Sequence, residues 1–306
     1  MRAGQRHWQG RVLRGAVALT GGTLLCAMSA LAGGPKLMPL RWALVGDTQS
    51  LTLSSELGDA WVAENRWLCT NRAQRRVFAV IGTGDIVYSY QNESQRVQAD
   101  RAMDVLDACG LPNWVPSGNH DTAYTLPPPY PWGPHLAWMT ATRAAHRPLA
   151  ESPSKLTFVW RMMPGVVFLA LPWRPDAAEI AWARAYLARV RESVWLFEHD
   201  AVDPAVRPSL RSSAALTLAQ ELGPRAIGVI GGHYTPQDRV AMWATPSGLL
   251  AVFSNFQDHD PANSAIWLTG WLTWLEFTPA GEWCVVDENV TTGVTGRFEV
   301  RRCFPG

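Results

Sequence analysis

Residues 114–121 read Trp-Val-Pro-Ser-Gly-Asn-His-Asp, a short apolar run followed by three side chains able to bind metal or move protons. The apolar part, Trp114–Pro116, predicts a short strand. The proline and the glycine after it force a turn where Asn119, His120 and Asp121 stand. The same grammar repeats outward from this point. Upstream, Arg41–Gly46 (RWALVG) predicts a strand that runs into Asp47-Thr48-Gln49, and Val77–Ile81 predicts one that reaches Gly84-Asp85. Downstream, Val194–Phe197 leads to Glu198-His199-Asp200, and Ala226–Ile230 to Gly232-His233-Tyr234-Thr235.

Helices are predicted between these strands. Glu56–Arg72 carries Leu57, Ala60, Trp61, Glu64 and Leu68 at helical spacing, and Ser94–Cys109 carries Val97, Ala102, Val105 and Leu106 on one face. Two further helices are predicted over Asp176–Val190 and Ser212–Leu222, the latter stopped by Gly223-Pro224. Leu156–Met162 and Val166–Leu171 read as strands joined at Pro164-Gly165. From Gly248 the pattern is β only: Leu249–Ser254, Leu272–Thr278, Trp283–Val286 and Phe298–Arg302. The stretch Thr122 to Lys155, which contains LPPPYPWGP, reads as irregular. The order βαβαβ, loop, mixed β/α, antiparallel β predicts an α/β fold: one domain, residues 33–306, of two packed mixed β-sheets flanked by helices. Loops that follow parallel strands collect at one sheet edge, so the polar clusters should meet there.

The rest of the composition narrows the setting. Residues 2–14 are basic, 15–32 are apolar with Gly21 and Gly22 inside, and Ala30-Leu31-Ala32 offers a small-x-small cleavage site. Residues 1–32 are therefore read as a signal peptide, with a periplasmic or secreted destination and no stable membrane span after cleavage. Setting aside the four arginines of that segment leaves 23 basic residues against 26 acidic ones, so no electrostatic case for nucleic-acid binding exists. Sixteen Trp scatter along the chain, which suits core filling better than a sugar platform. Beyond the leader, Cys69, Cys109, Cys284 and Cys303 remain. Cys284 and Cys303 flank a predicted hairpin, and Cys69 and Cys109 each end a predicted helix. Two disulfides or buried free thiols both fit, and no pair has the C-x-x-C spacing of a zinc or redox site.

The five clusters together supply carboxylates, amides and imidazoles, the ligand set of a divalent metal site. Their order resembles the calcineurin-like metallophosphoesterase pattern: D-x-H, G-D, G-N-H-D or G-N-H-E, a lone His, then G-H-x-H. The resemblance covers residues 41 to about 235. Asn255-Phe256-Gln257 and Gly270-Trp271 also resemble a branch that carries D-x-Q at the start. A G-N-H-D by chance in a chain of this length has odds on the order of one in several hundred.

The resemblance implies hydrolysis of small phosphate esters, with up to two divalent ions (manganese, iron, zinc or magnesium) and a metal-bound water as nucleophile. Asp85 would bridge the ions; Asn119, His199 and His233 would complete one site; Asp47 and Gln49 would hold the other. His120 would be the general acid, oriented by Asp121. Two positions depart from the pattern: Gln49 replaces a His, and Thr235 replaces the second His of G-H-x-H. Both fall on the same metal, leaving it an all-oxygen ligand set that prefers manganese or magnesium and binds more weakly. One tight metal and one supplied only by added manganese or magnesium are expected. The departures also motivate an alternative, a degenerate member that binds metal or phosphate without hydrolysis. Taken singly, each residue has a plainer reading: Asp47 a turn residue, Asp85 a helix cap, His199 a solvated strand end, and His135, His146 and His259 surface residues.

Overall fold

The computed structural model describes residues 38–122, 148–207, 209–235, 239–257, 270–290 and 301–306. The expected signal peptide, the LPPPYPWGP run, His135, His146 and His259 lie outside the described residues.

The strands form two sheets. One has six strands, taking β1 (Leu40–Val45), β2 (Val77–Gly82) and β3 (Asn113–Trp114) from the first half, and β11 (Trp271–Phe277), β12 (Glu282–Asn289) and β13 (Arg302–Pro305) from the last. Its order is β13-β12-β11-β1-β2-β3, with β1, β2 and β3 parallel and β11 antiparallel to β1. The other has seven, β4 (Ala150–Glu151), β5 (Phe158–Met163), β6 (Val166–Ala170), β7 (Ser193–Phe197), β8 (Ala226–Gly231), β9 (Val240–Ala244) and β10 (Leu250–Ser254), in the order β4-β5-β6-β7-β8-β10-β9. Here β6, β7, β8 and β10 run parallel, while β5 and β9 are antiparallel to their neighbours.

Helices α1 (Ser55–Arg75), α2 (Glu93–Ala108), α3 (Ala177–Leu187) and α4 (Ala214–Leu222) flank the sheets, and each starts at a residue whose side chain takes a free backbone N–H: Ser54, Asn92, Asp176 and Ser213. The expected two-sheet α/β architecture is present. Three strands depart from the sequence reading: the one read over Phe298–Arg302 lies mostly outside the described residues, and β13 starts only at Arg302. β4 falls within the stretch read as irregular. β9 was left unassigned, because its run VAMWA is short and wholly apolar and so shows no alternation.

Tryptophan fills the layer between the sheets. Trp195 of β7 meets Trp283 of β12 edge-on at 5.2 Å, and Trp283 packs on Trp42 of β1 at 5.6 Å. Farther along, Trp114 of β3 stacks on Trp160 of β5 at 5.2 Å. A second apolar cluster joins the outer face of the seven-stranded sheet to α3 and α4, through Leu169, Leu196, Val229, Ala183, Leu187 and Leu218. The parallel strands of each sheet deliver their C-terminal ends to one edge, and hydrogen bonds cross between the sheets there.

Candidate metal centre

Asp47 follows β1, Asp85 follows β2, His199 follows β7, His233 follows β8, and Asn119 and His120 stand on the loop beyond β3. All are buried or half-buried. Ligand atoms of Asp85, His199 and His233 lie within 4.8 Å of one another. His199 Nε2 is 3.2 Å from Asp85 Oδ2 and 3.1 Å from Asn119 Oδ1. Its Nδ1 lies 2.7 Å from the Thr83 carbonyl. A carbonyl only accepts, so Nδ1 carries the hydrogen and Nε2 faces the oxygens, the tautomer a metal ligand requires.

Asp47 is fully buried and held from three directions. Thr83 Oγ1 donates to its Oδ1 at 3.0 Å, while the His233 backbone N–H at 3.0 Å and Asn255 Nδ2 at 2.9 Å donate to its Oδ2. Gln49, on the 3-10 turn Thr48–Thr52, is 1% exposed, and its Oε1 has no hydrogen-bond partner among the described residues. An orphaned buried acceptor is costly, and a cation would satisfy it.

The backbone is shaped for close approach. Asp85 and His233 both adopt left-handed conformations, φ 49° and 70°, which non-glycine residues hold at a cost of order 1 kcal/mol and which concentrate at functional sites. At Gly118 a Cβ would stand 2.1 Å from Asp85 Oδ1, and at Gly84 (φ 97°) it would stand 2.5 Å from His199 Nδ1. Side chains at either position would fill the cradle in which the donors meet.

Charge follows from this crowding. Burial pushes the Asp47 carboxyl up to about 8, partly offset by His199. Burial disfavours the His199 imidazolium, but the charges of Asp85 and then Asp47 outweigh it and raise the group to about 10. Burial acts against the Asp85 carboxylate too, yet His199 and His120 together hold it below the usual range. His233 is driven down to about 4 by burial and then by the charge of His199. The pocket therefore shares protons among its groups: Asp47 and His199 lean towards the protonated form, Asp85 towards the carboxylate and His233 towards the neutral ring. The meeting of Asp85 with two imidazoles, and the His199 ring turned with Nε2 towards the oxygens of Asp85 and Asn119, fit a divalent metal.

His120 and Asp121 both bond to the backbone of neighbouring loops. The His120 backbone N–H donates to Asp85 Oδ1 at 2.8 Å, and its Nδ1 lies 2.8 Å from the carbonyl of Tyr88. Asp121 is fully buried and turns back to receive the N–H groups of Gly118 (2.8 Å), Ile86 (3.0 Å) and Val87 (3.2 Å). A buried carboxylate is satisfied by whichever donors are nearest, and the tight turn brings it backbone amides. The bond that orients His120 is thus to a carbonyl, and Asp121 staples the loop after β2 to the loop after β3.

Of the Glu198-His199-Asp200 cluster, Glu198 instead caps α4 by accepting from Ala215 N at 2.8 Å. Sequence reading missed Thr83 as a participant; it is a plain strand-end threonine, yet it holds Asp47 through its hydroxyl and His199 through its carbonyl. Asn255, which the sequence singles out only as part of Asn255-Phe256-Gln257, grips Asp47.

The two-sheet α/β architecture, with polar side chains gathered at the strand ends, has counterparts among solved phosphatases. Among solved structures, a dimetal phosphatase from Danio rerio aligns with a TM-score of 0.60 at 14% identity, covering 87% of this chain and 98% of that one. The purple acid phosphatase PPD1 from yellow lupin (Lupinus luteus) aligns at 0.57 and 13% identity, over 84% of this chain and 52% of that one. These likenesses establish the fold. No family model matches the sequence. Among curated proteins, the uncharacterized protein YvnB of Bacillus subtilis (strain 168) is 39% identical over 61 residues, which is 20% of this chain and 5% of the length of that protein.

Proposed function

We propose that the chain is a metal-dependent phosphoesterase acting on small phosphate esters. The observation that carries this is the meeting of Asp47, Asp85, Asn119, His199 and His233 from both sheets at one edge, with His120 bonded to Asp85 beside them. Asp85, Asn119, His199 and His233 would hold one cation, a set suited to zinc, iron or manganese. Asp47 and Gln49, with Asp85 shared, would hold the other, a set suited to manganese or magnesium. Bound there, such ions supply Lewis acidity that offsets phosphate charge and acidifies water.

The chain's own residues do the rest. His120, fixed through Nδ1, has Nε2 to give a proton to the departing alkoxide. Asp121 is a positioning residue that sets the separation of Asp85 and Asn119. Thr83 and Asn255 keep the Asp47 carboxylate from turning away. The D-x-Q beginning at Asp47 and the Asn255-Phe256-Gln257 segment support assignment to the branch of calcineurin-like enzymes that carries Gln at this place.

Residues 1–32 are proposed as a cleaved leader and 33–306 as one catalytic domain in the periplasm or outside the cell. The Cys69–Cys109 and Cys284–Cys303 disulfides support an oxidising compartment. Among the described residues, no helix is long and apolar enough to cross a membrane.

The test is hydrolysis of aryl phosphomonoester and diester substrates by the manganese-supplemented protein. His120→Ala is expected to lower kcat by about 10²–10⁴-fold with bound metal unchanged. Undiminished turnover in His120→Ala removes the assigned acid. Gln49 and Thr235 favour a second reading, a metal or phosphate binder, and absence of hydrolysis with every divalent metal would select it.

A further inference from the structure

The loop after Asp85 presents an aromatic ring to solvent beside the acid of the site. Tyr88 is 41% exposed, and its ring centroid lies 5.3 Å from that of His120, tilted by 48°. The loop beneath it is pinned. Ile86 and Val87 donate to Asp121, and the Tyr88 carbonyl engages His120 Nδ1. Ser89 N donates to Gln95 Oε1 at 2.8 Å, Tyr90 N donates to the His120 carbonyl at 3.1 Å, and Arg96 Nη1 donates to the Tyr90 carbonyl at 2.9 Å. Helix α2 and the Gly118–Asp121 turn thus hold the backbone of the loop that carries the ring.

The structural duty of position 88 is discharged by its backbone carbonyl, which any residue supplies. That bond makes no use of the ring, which stands beside His120 and open to solvent. An alcohol protonated by His120 leaves on the side of the phosphate that faces that imidazole, so the body of the alcohol lies against whatever flanks it. Tyr88 flanks it. We propose that Tyr88 is a leaving-group platform, and that the site prefers phosphoesters of alcohols with an aromatic or similarly flat apolar body, stacked on this ring. The proposal rests on the phosphoesterase reading of the site, and it adds a substrate class to it.

A binding experiment separates the two. Phenylphosphonate and methylphosphonate, neither of which is hydrolysed, are titrated calorimetrically into the full chain supplied with manganese. The unaltered protein should bind the phenyl compound more tightly. Tyr88→Ala should weaken phenylphosphonate by about 3–10-fold, the range of an aromatic pair, and leave methylphosphonate within about twofold. Tyr88→Phe should restore the preference, and manganese content should be equal in all three proteins. Equal weakening of both ligands, or weakening of neither, overturns the platform. Hydrolysis of an aryl phosphate is measured on the same samples. An active protein without a Tyr88-dependent preference loses the platform and keeps the hydrolase; an inactive protein that retains the preference keeps the platform and loses the hydrolase.

Discussion

A single methyl group at position 118 would stand 2.1 Å from Asp85 Oδ1, well inside van der Waals contact. Gly118→Ala is therefore expected to displace Asp85 or the turn that carries Asn119 and to weaken divalent-metal binding by about tenfold or more. Titration with manganese checks this, and unchanged affinity would remove the close approach from the needs of the site. At the same scale, the ligand inventory differs between the two proposed cations. One has the imidazoles of His199 and His233; the other has Asp47, Asp85 and the amide of Gln49. Elemental analysis after dialysis should find about one metal per chain, rising to two only with added manganese or magnesium. Two tightly held metals would show that Gln49 and Thr235 do not weaken the second position. Asp47, Asp85, Asn119, His120, His199 and His233 were all legible as candidates, because each stands where an apolar strand gives way to polar residues. Thr83 and the amides that donate to Asp121 were not, since a hydrogen bond to a backbone carbonyl or from a backbone amide leaves no mark on residue identity.

Between elements, two disulfides do work that apolar packing does elsewhere. Cys69–Cys109 ties α1 to the end of α2 across 40 residues of chain, and Cys284–Cys303 ties β12 to β13 across 19. Loops of these lengths give each bond about 3–4 kcal/mol through restriction of the unfolded chain. The Cys69→Ser/Cys109→Ser double variant should melt about 7 °C lower than the native chain, as followed by circular dichroism. An unchanged melting temperature would assign the holding of α1 and α2 to their apolar contacts alone. Both helices were legible from their spacing, and their caps Ser54 and Asn92 fit the rule for helix starts. The sequence leaves two disulfides and buried free thiols both open, because spacing along the chain does not show which thiols meet.

Across the whole molecule, Glu64 joins α1 to the six-stranded sheet by accepting the Gly270 backbone N–H, just before β11, at 3.1 Å. It is buried, and burial pushes its carboxyl up to about 8, partly offset by that N–H. An acid whose folded pKa exceeds its unfolded value near 4.5 holds a proton in the fold that the unfolded chain has already released. Its contribution to stability is therefore largest below about 4.5, falls as pH rises, and is fully lost above about 8. Glu64→Gln keeps the acceptor and removes the charge. It should match the native chain near pH 5 and exceed it by about 2–4 kcal/mol at pH 8 in urea unfolding. A pH-independent difference would place the effect in packing instead.

Periodicity and the order of strand-end clusters were enough to establish the two-sheet α/β fold and the edge where a site would form, because both depend on local spacing of apolar and polar residues. They also sufficed to nominate most of the candidate ligands. Tertiary structure alone decided what holds those ligands still. Asp47 is gripped by Asn255 from 208 positions away, and His199 is aimed by Thr83 from 116. It also decided that Asp121 serves the backbone, that a carbonyl orients His120, and that Tyr88 stands exposed beside it. Buried polar groups take their partners from whichever segments the packing of the two sheets brings near, and that choice is made in space and not along the chain.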